Sequence, residues 1–163
     1  MVPNNGVFSH WQNKIADLPQ DVHKHCLVTL GNGDLFHTGG FSSSFSSRIP
    51  LRTSWRYIKQ ENRWKQKTDM ITGRYKHGCG RVTNPTTGKE EVVVVGGKSG
   101  AYSSSSEIYT VEDDTWRQGI PLPRVFGNLA SLPYGDSFLI LGGYGKGPCS
   151  DSIYQVYLFI IIC

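Results

Sequence analysis

A long apolar segment is missing from this sequence of 163 residues. The longest apolar run, Tyr157 to Cys163, has seven residues, whereas a membrane-spanning helix needs about 20. The start of the chain, Met1 to His10, contains neither a basic region nor an apolar run of signal-peptide length. From these absences we expect no membrane span, no membrane partner and no export signal.

Closely spaced cysteines and the motifs of common enzymes are missing as well. The four cysteines, Cys26, Cys79, Cys149 and Cys163, include no Cys-x-x-Cys pair, so neither a zinc knuckle nor a thioredoxin-type motif is present. No Gly-x-Ser-x-Gly elbow, phosphate-binding loop or paired acid motif occurs. We therefore expect a reducing, cytoplasmic location, no catalytic residue, no metal and no cofactor.

Glycine, in contrast, is abundant. The 19 glycines and 8 prolines are scattered without a three-residue period, which excludes collagen and favours a turn-rich all-β protein. Hydrophobic residues make up 38% and aromatics 12% of the chain, while only 18% is charged. This composition predicts a folded segment of about one domain rather than a disordered one.

Three segments of the sequence repeat one pattern, in which an apolar strand ends in a glycine pair. The pairs are Gly39-Gly40, Gly96-Gly97 and Gly142-Gly143. A tyrosine follows each pair, at Tyr57, Tyr109 and Tyr154. Trp64 and Trp116 lie seven positions after the first two tyrosines, and Ile161 stands at the corresponding third position.

The second glycines of these pairs recur at intervals of 57 and then 46 residues. The pattern resembles the kelch repeat, whose unit of about 50 residues forms one four-stranded blade of a β-propeller. The resemblance implies an all-β fold, a fragment of a kelch-type propeller built from four-stranded antiparallel blades. We count twelve strands along the sequence, or three blades at most, fewer than the ~4–8 that close a ring. An open fragment is therefore expected.

The repeats divide the chain into five units. They are an outer strand of a preceding blade with a linker over 1–20, kelch repeats over 21–70 and 71–123, a partial repeat over 124–157 and an apolar tail over 158–163. Trp11 marks the first outer strand. We expect Trp64 and Trp116 to stack with the tyrosines and to be substantially buried. Open strand edges and the apolar tail predict poor solubility and self-association.

The loops after the glycine pairs, 41–53, 98–106 and 144–151, emerge on one face of such a propeller. Hydroxyls, aromatics and cations on one rim suit a protein or peptide partner of acidic character. The candidate binding residues are Phe45, Arg48, Arg52, Tyr102, Ser104, Tyr144 and Lys146. Flexible connections are the alternative use of Ser-rich loops. The resemblance implies a protein-interaction module, such as the kelch part of a ubiquitin-ligase adaptor or an actin-associated protein.

The alternative function is a fragment of an enzymatic or carbohydrate-binding propeller, such as a copper oxidase-like protein. His23 and His25 lie two apart on a predicted strand, a spacing that suits zinc or copper. No third ligand is visible on that face, so an ordinary histidine pair is the preferred interpretation. Cys26 and Cys79 belong to similar strands of neighbouring blades, where a disulfide is one outcome and buried free thiols are the expected one.

Basic residues are concentrated in one part of the chain. Nine basic residues and two acids lie between Arg48 and Lys76, a local charge of +7 against +4 for the whole chain, which leaves −3 elsewhere. Arg63, Lys65 and Lys67 alternate with other residues at strand period two and share one face. We interpret them as a solvated outer strand whose charge opposes edge pairing, and we expect no nucleic-acid partner.

Overall fold

The computed structural model describes residues 15–42, 49–145 and 153–156. In chain order the strands are β1 (Cys26–Thr29), β2 (Leu35–Thr38), β3 (Ser54–Ile58), β4 (Arg63–Lys67), β5 (Gly78–Thr83), β6 (Glu90–Val95), β7 (Lys98–Ser99), β8 (Ala101–Tyr102), β9 (Ser106–Thr110), β10 (Thr115–Gln118), β11 (Ala130–Tyr134), β12 (Ser137–Leu141) and β13 (Ile153–Val156). All their pairings are antiparallel. None of the described segments forms a helix long and apolar enough to cross a membrane.

The strands form three blades. Blade 1 has the order β1-β2-β3-β4, blade 2 the order β5-β6-β9-β10, and the described part of blade 3 the order β11-β12-β13. The predicted all-β, open fragment of four-stranded blades is confirmed. The short ribbon β7-β8, which lies within the loop after Gly97, was not predicted. The Trp11 strand and the tail 158–163 lie outside the described residues.

The blades pack face to face through two apolar clusters. Between blades 1 and 2, Phe36 stacks on Tyr109 with ring centroids 4.5 Å apart, and Met70 is fully buried beside them. Between blades 2 and 3, the Phe138 ring fills the space over Gly80, where an added Cβ would meet the ring at 2.1 Å. Gly80 is therefore required because no side chain fits between the two sheets.

The tryptophans are less buried than expected. Tyr57 and Tyr109 are only 4% and 1% exposed, whereas Trp64 and Trp116 are half-buried. Both indoles contact the tyrosine of their own blade, at 5.3 and 5.1 Å between centroids. They lie on the outermost strands β4 and β10, with one side open to solvent. In each pair the buried residue is therefore the tyrosine on the next strand inward, and not the tryptophan as we expected.

A disulfide joins the innermost strands of blades 1 and 2. Cys26 on β1 and Cys79 on β5 are bonded, with their Cα atoms 6.1 Å apart. The expectation of buried free thiols is wrong because the two strands lie side by side at a separation that a disulfide spans without backbone movement. The bond closes a sequence separation of 53 residues, and it restricts the unfolded chain accordingly.

The alternating basic residues Arg63, Lys65 and Lys67 lie on the outer edge of blade 1. β4 is the outermost strand, and Arg63 and Lys65 are exposed on it. Lys67 reaches blade 2, where its ammonium lies 2.9 Å from the Asp114 carboxylate. The interpretation as a solvated outer strand agrees with this placement.

Candidate partner-binding face

One face of the blades carries the β6–β9 connection, the described parts of the β2–β3 and β12–β13 connections, and the segments that lead into the innermost strands. We call it the loop face. At its inner margin, Lys24, Lys76 and Asn128 precede β1, β5 and β11 and adopt positive φ angles of 59°, 59° and 56°. The Lys76 amide donates to the Lys24 carbonyl and the Asn128 amide to the Lys76 carbonyl, both at 2.8 Å. Residues other than glycine rarely adopt this conformation, and its recurrence every 52 residues follows the repeat of the blades, as it does at Asn62 and Asp114.

The glycine pairs bring the loops against this margin. The residue that follows each pair forms a β-bridge to the inner segment, in the pairs His23–Phe41, Tyr75–Lys98 and Gly127–Tyr144. Gly40 has φ +93°, and a Cβ there would lie 2.4 Å from Val22 Cγ2. Only glycine allows both the left-handed conformation and this close approach.

Aromatic rings form a second row along the loop face. Phe41 contacts His23 and Tyr75, with centroids 3.9 and 4.8 Å apart. Further along, Tyr102 and Tyr144 meet edge to face at 5.6 Å, and the Tyr144 side chain is exposed. Rings held at fixed positions lose little entropy on binding, which is why aromatic residues are common at interaction sites.

Lysines stand over these rings. The Lys24 ammonium lies 4.8 Å from the Phe41 centroid, and that of Lys98 lies 5.5 Å from the Tyr102 centroid. Lys76 is half-buried between them. Within the described part of the chain, none of these three lysines takes part in an ion pair. Their ammonium groups are therefore available to an anionic group.

Two of the predicted binding residues, Tyr102 and Tyr144, are brought into contact on this face. Ser104 is half-buried, and its carbonyl accepts a hydrogen bond from the Leu122 amide at 2.7 Å. Arg52 is exposed, and its Nε donates to the Met70 carbonyl at 2.6 Å. Phe45, Arg48 and Lys146 lie outside the described residues.

Sequence reasoning missed Lys24, Tyr75 and Lys76. They lie in the segments between blades, whereas the candidate residues came from the loops after the glycine pairs. Within those loops, Phe41 and Lys98 were missed as well. A signal was present, because Lys24-His25 and Lys76-His77 repeat at an interval of 52 residues. The sequence does not show that Lys24 and Lys76 adopt a left-handed backbone conformation.

Three histidines lie just beneath this face. His25 contacts His37 with centroids 4.7 Å apart, and His77 Nε2 lies 2.9 Å from Thr38 Oγ1. Both ring nitrogens of His37 are buried without a hydrogen-bond partner among the described residues. His23 packs against Phe41. Burial and then the nearby His23 lower the pKa of His25, and both residues precede β1 instead of lying on the predicted strand. No group of three potential metal ligands occurs in residues 15–42, 49–145 and 153–156.

Burial sets the charge of these rings. It lowers the pKa of His37 to about 3, with a further contribution from His25. Burial lowers the pKa of His77 to about 3 as well, assisted by Arg74 and then by the other two histidines. Both rings are neutral in the folded chain at neutral pH.

Acidification below about pH 6.5 should therefore destabilise the fold before the carboxylates titrate. In the unfolded chain both histidines titrate near pH 6.5, so the unfolded state binds more protons and the free energy of unfolding falls as the pH decreases. Urea unfolding at about pH 7, 6 and 5 measures this slope. The double variant His37→Gln/His77→Gln should flatten it, and an unchanged slope would show that other groups cause the pH dependence.

Two four-stranded blades with tyrosine–tryptophan pairs, a third blade with three described strands, and a glycine pair in each give this chain the fold of an open kelch-type β-propeller fragment. Kelch-like protein 23 of Homo sapiens is 24% identical over 144 residues, which cover 87% of this chain and 25% of that protein. The solved structure of YjhT superposes with a TM-score of 0.70 at 15% identity, over 87% of this chain and 44% of that one. No family model matches the sequence. The chain thus spans about a quarter of the curated relative and less than half of the solved propeller.

Proposed function

We propose that this chain is a protein-interaction module that binds an acidic peptide or protein segment on its loop face and has no catalysis of its own. The observation that carries the proposal is the row of rings and unpaired lysines formed by Lys24, Phe41, Lys98, Tyr102 and Tyr144. The likeness to a Kelch-like protein supports it by analogy of fold.

The preference for an acidic partner follows from the charges. Each of Lys24 and Lys98 is placed over an aromatic ring, so a carboxylate can pair with the ammonium while an adjacent side chain packs on the ring. Phe45, Arg48 and Lys146 follow the same glycine pairs in the sequence and stay predicted binding residues. Ser104 supports the loop through its backbone, and Arg52 ties the first loop to the segment between blades.

The narrower roles, a ubiquitin-ligase adaptor or an actin-associated protein, stay predictions, as does the copper oxidase-like alternative. A cytoplasmic location is also a prediction, and the Cys26–Cys79 disulfide argues against it because such bonds persist mainly in oxidising compartments.

Selection of random peptides on the immobilised chain tests the proposal. The selected peptides should be rich in Asp and Glu, and their affinity should fall as salt is raised. The variant Lys98→Gln/Tyr102→Ala/Tyr144→Ala should weaken the binding of a selected peptide roughly tenfold or more, since clustered anchors carry most of the binding energy.

The matched control is Lys65→Gln/Tyr134→Ala, which removes an exposed lysine and an exposed tyrosine away from the loop face. It should bind the same peptide with unchanged affinity. Equal loss in both variants, or none in the loop-face variant, would place the site elsewhere. Circular dichroism confirms that each variant is folded.

A further inference from the structure

The Cys26–Cys79 disulfide lies next to the inner margin of the loop face. Cys26 follows Lys24 by two residues, and Cys79 follows Lys76 by three. The Lys76 amide donates to the Lys24 carbonyl at 2.8 Å. β1, which begins at Cys26, has four residues and is the edge strand of blade 1. The disulfide and the hydrogen bond therefore fix the inner end of blade 1 to that of blade 2.

The disulfide is not part of the repeated design of the blades. The positions 52 residues after Cys26 and Cys79 are Gly78 and Ser131. At the junction of blades 2 and 3, the Cys79 amide donates to Ser131 Oγ at 3.3 Å. A hydrogen bond thus joins two innermost strands there without a covalent link, so this type of junction does not require one.

Blades 1 and 2 also have contacts that do not involve the cysteines. Phe36 stacks on Tyr109 with ring centroids 4.5 Å apart, and the Lys67 ammonium lies 2.9 Å from the Asp114 carboxylate. Both contacts lie further out than the innermost strands β1 and β5. Breaking the disulfide should therefore release the inner end of the junction while its outer part stays packed.

A small thiol has access to the disulfide in the folded chain. Cys26 is partly exposed. Cys79 lines a cleft of about 410 Å³ that runs along the innermost strands β1, β5 and β11. Disulfides that solvent and thiols can reach are the ones that exchange readily, whereas enclosed disulfides resist reduction.

We propose that the Cys26–Cys79 disulfide is a redox-sensitive clasp, which a low-molecular-mass thiol such as glutathione opens in the folded chain, releasing the inner margin of the loop face. A thiolate attacks one sulfur and displaces the other, which leaves as a thiolate and takes up a proton. A second thiol then attacks the mixed disulfide. The products are two cysteine thiols in the protein and one oxidised pair of the small thiol.

Opening the clasp should also weaken binding on the loop face, and this part rests on the proposed function. Lys24 stands over the Phe41 ring and is one of the proposed anchors for an acidic partner. Its segment loses a fixed position when Cys26 is free. The oxidised chain should therefore bind a selected acidic peptide several-fold more tightly than the reduced chain.

Hydrogen exchange of the chain without any peptide tests the clasp itself. The variant Cys149→Ser/Cys163→Ser leaves Cys26 and Cys79 as its cysteines. In reduced glutathione without denaturant, thiol titration should show two new thiols, and exchange over 22–26 should become roughly tenfold faster or more.

The Asn128 amide is the internal control, because it donates to the Lys76 carbonyl at 2.8 Å beside the junction that has no disulfide. Its exchange should not change. The further replacement Cys26→Ser/Cys79→Ser should give the exchange of the reduced chain with or without glutathione.

Three results would overturn the clasp. They are a disulfide that opens only after urea is added, unchanged exchange over 22–26 after reduction, and faster exchange in all strands, which would show that the whole fold depends on the bond. Equal peptide affinity of the oxidised and reduced chains would contradict the link to the loop face. Absence of peptide binding by both would contradict the proposed function, and the exchange comparison would still decide on the clasp.

Discussion

Replacing Glu107 by alanine is expected to lower the free energy of unfolding by about 3–5 kcal/mol, because it leaves the buried charge of Arg74 without its partner. The two side chains are 0% and 2% exposed and lie 2.5 Å apart. Glu107 also accepts the amides of Ile71 and Thr72, at 2.7 and 3.0 Å. One carboxylate thus fixes the whole segment between blades 1 and 2.

Urea unfolding measures this loss. Asp113→Ala, which removes the exposed partner of Lys89, is the matched control and should cost less than about 1 kcal/mol. The double variant Arg74→Met/Glu107→Leu should recover part of the loss, because it removes both charges. It cannot recover all of it, since the two amides lose their acceptor. A Glu107→Ala variant as stable as the control would contradict the described packing.

Removing the Tyr109 ring should lower the free energy of unfolding by about as much as Glu107→Ala does. Tyr109→Ala is expected to destabilise the fold by about 3–5 kcal/mol, the range for a large side chain deleted from a core. The ring stacks on Phe36 of the neighbouring blade, and its hydroxyl donates to Asp114 Oδ1 at 2.7 Å.

Tyr109→Phe separates the two contributions, because it keeps the ring and removes only the hydrogen bond to the Asp114 carboxylate, a bond to a charged group of about 1.5–3 kcal/mol. Trp116→Ala should cost less than Tyr109→Ala, since the indole is half-exposed. If the order of these two losses is reversed in thermal and urea unfolding, the tryptophan rather than the tyrosine joins the blades.

The blades were predictable because their markers are local. A glycine pair after an apolar strand describes a short piece of backbone that recurs in all three repeats, and a tyrosine seven residues before a tryptophan recurs in the first two. The four strands of blades 1 and 2, and their antiparallel direction, follow from these markers. The sequence does not show how far each aromatic side chain lies from the outer surface, so the burial of Trp64 and Trp116 was overestimated.

Features that depend on the packing between blades were missed or wrongly predicted. Whether Cys26 meets Cys79 depends on the offset of two innermost strands, which no local pattern reveals. In the sequence, Arg74 and Glu107 resemble ordinary surface charges. Their burial as an ion pair depends on how the two blades pack, which no local pattern reveals. Of the loop face, the sequence indicated Tyr102 and Tyr144, whereas Lys24 and Lys76 became candidates only when their left-handed backbone and mutual hydrogen bond were visible.

Hydrogen exchange of the chain with and without a selected acidic peptide locates the bound partner. We expect slower exchange at the inner margin and in the loops, over 22–25, 74–77, 97–104 and 126–128, with the outer strands β4 and β10 unchanged. Protection confined to the outer strands or to the turns at Gly33 and Gly135, on the opposite side, would contradict a partner-binding loop face.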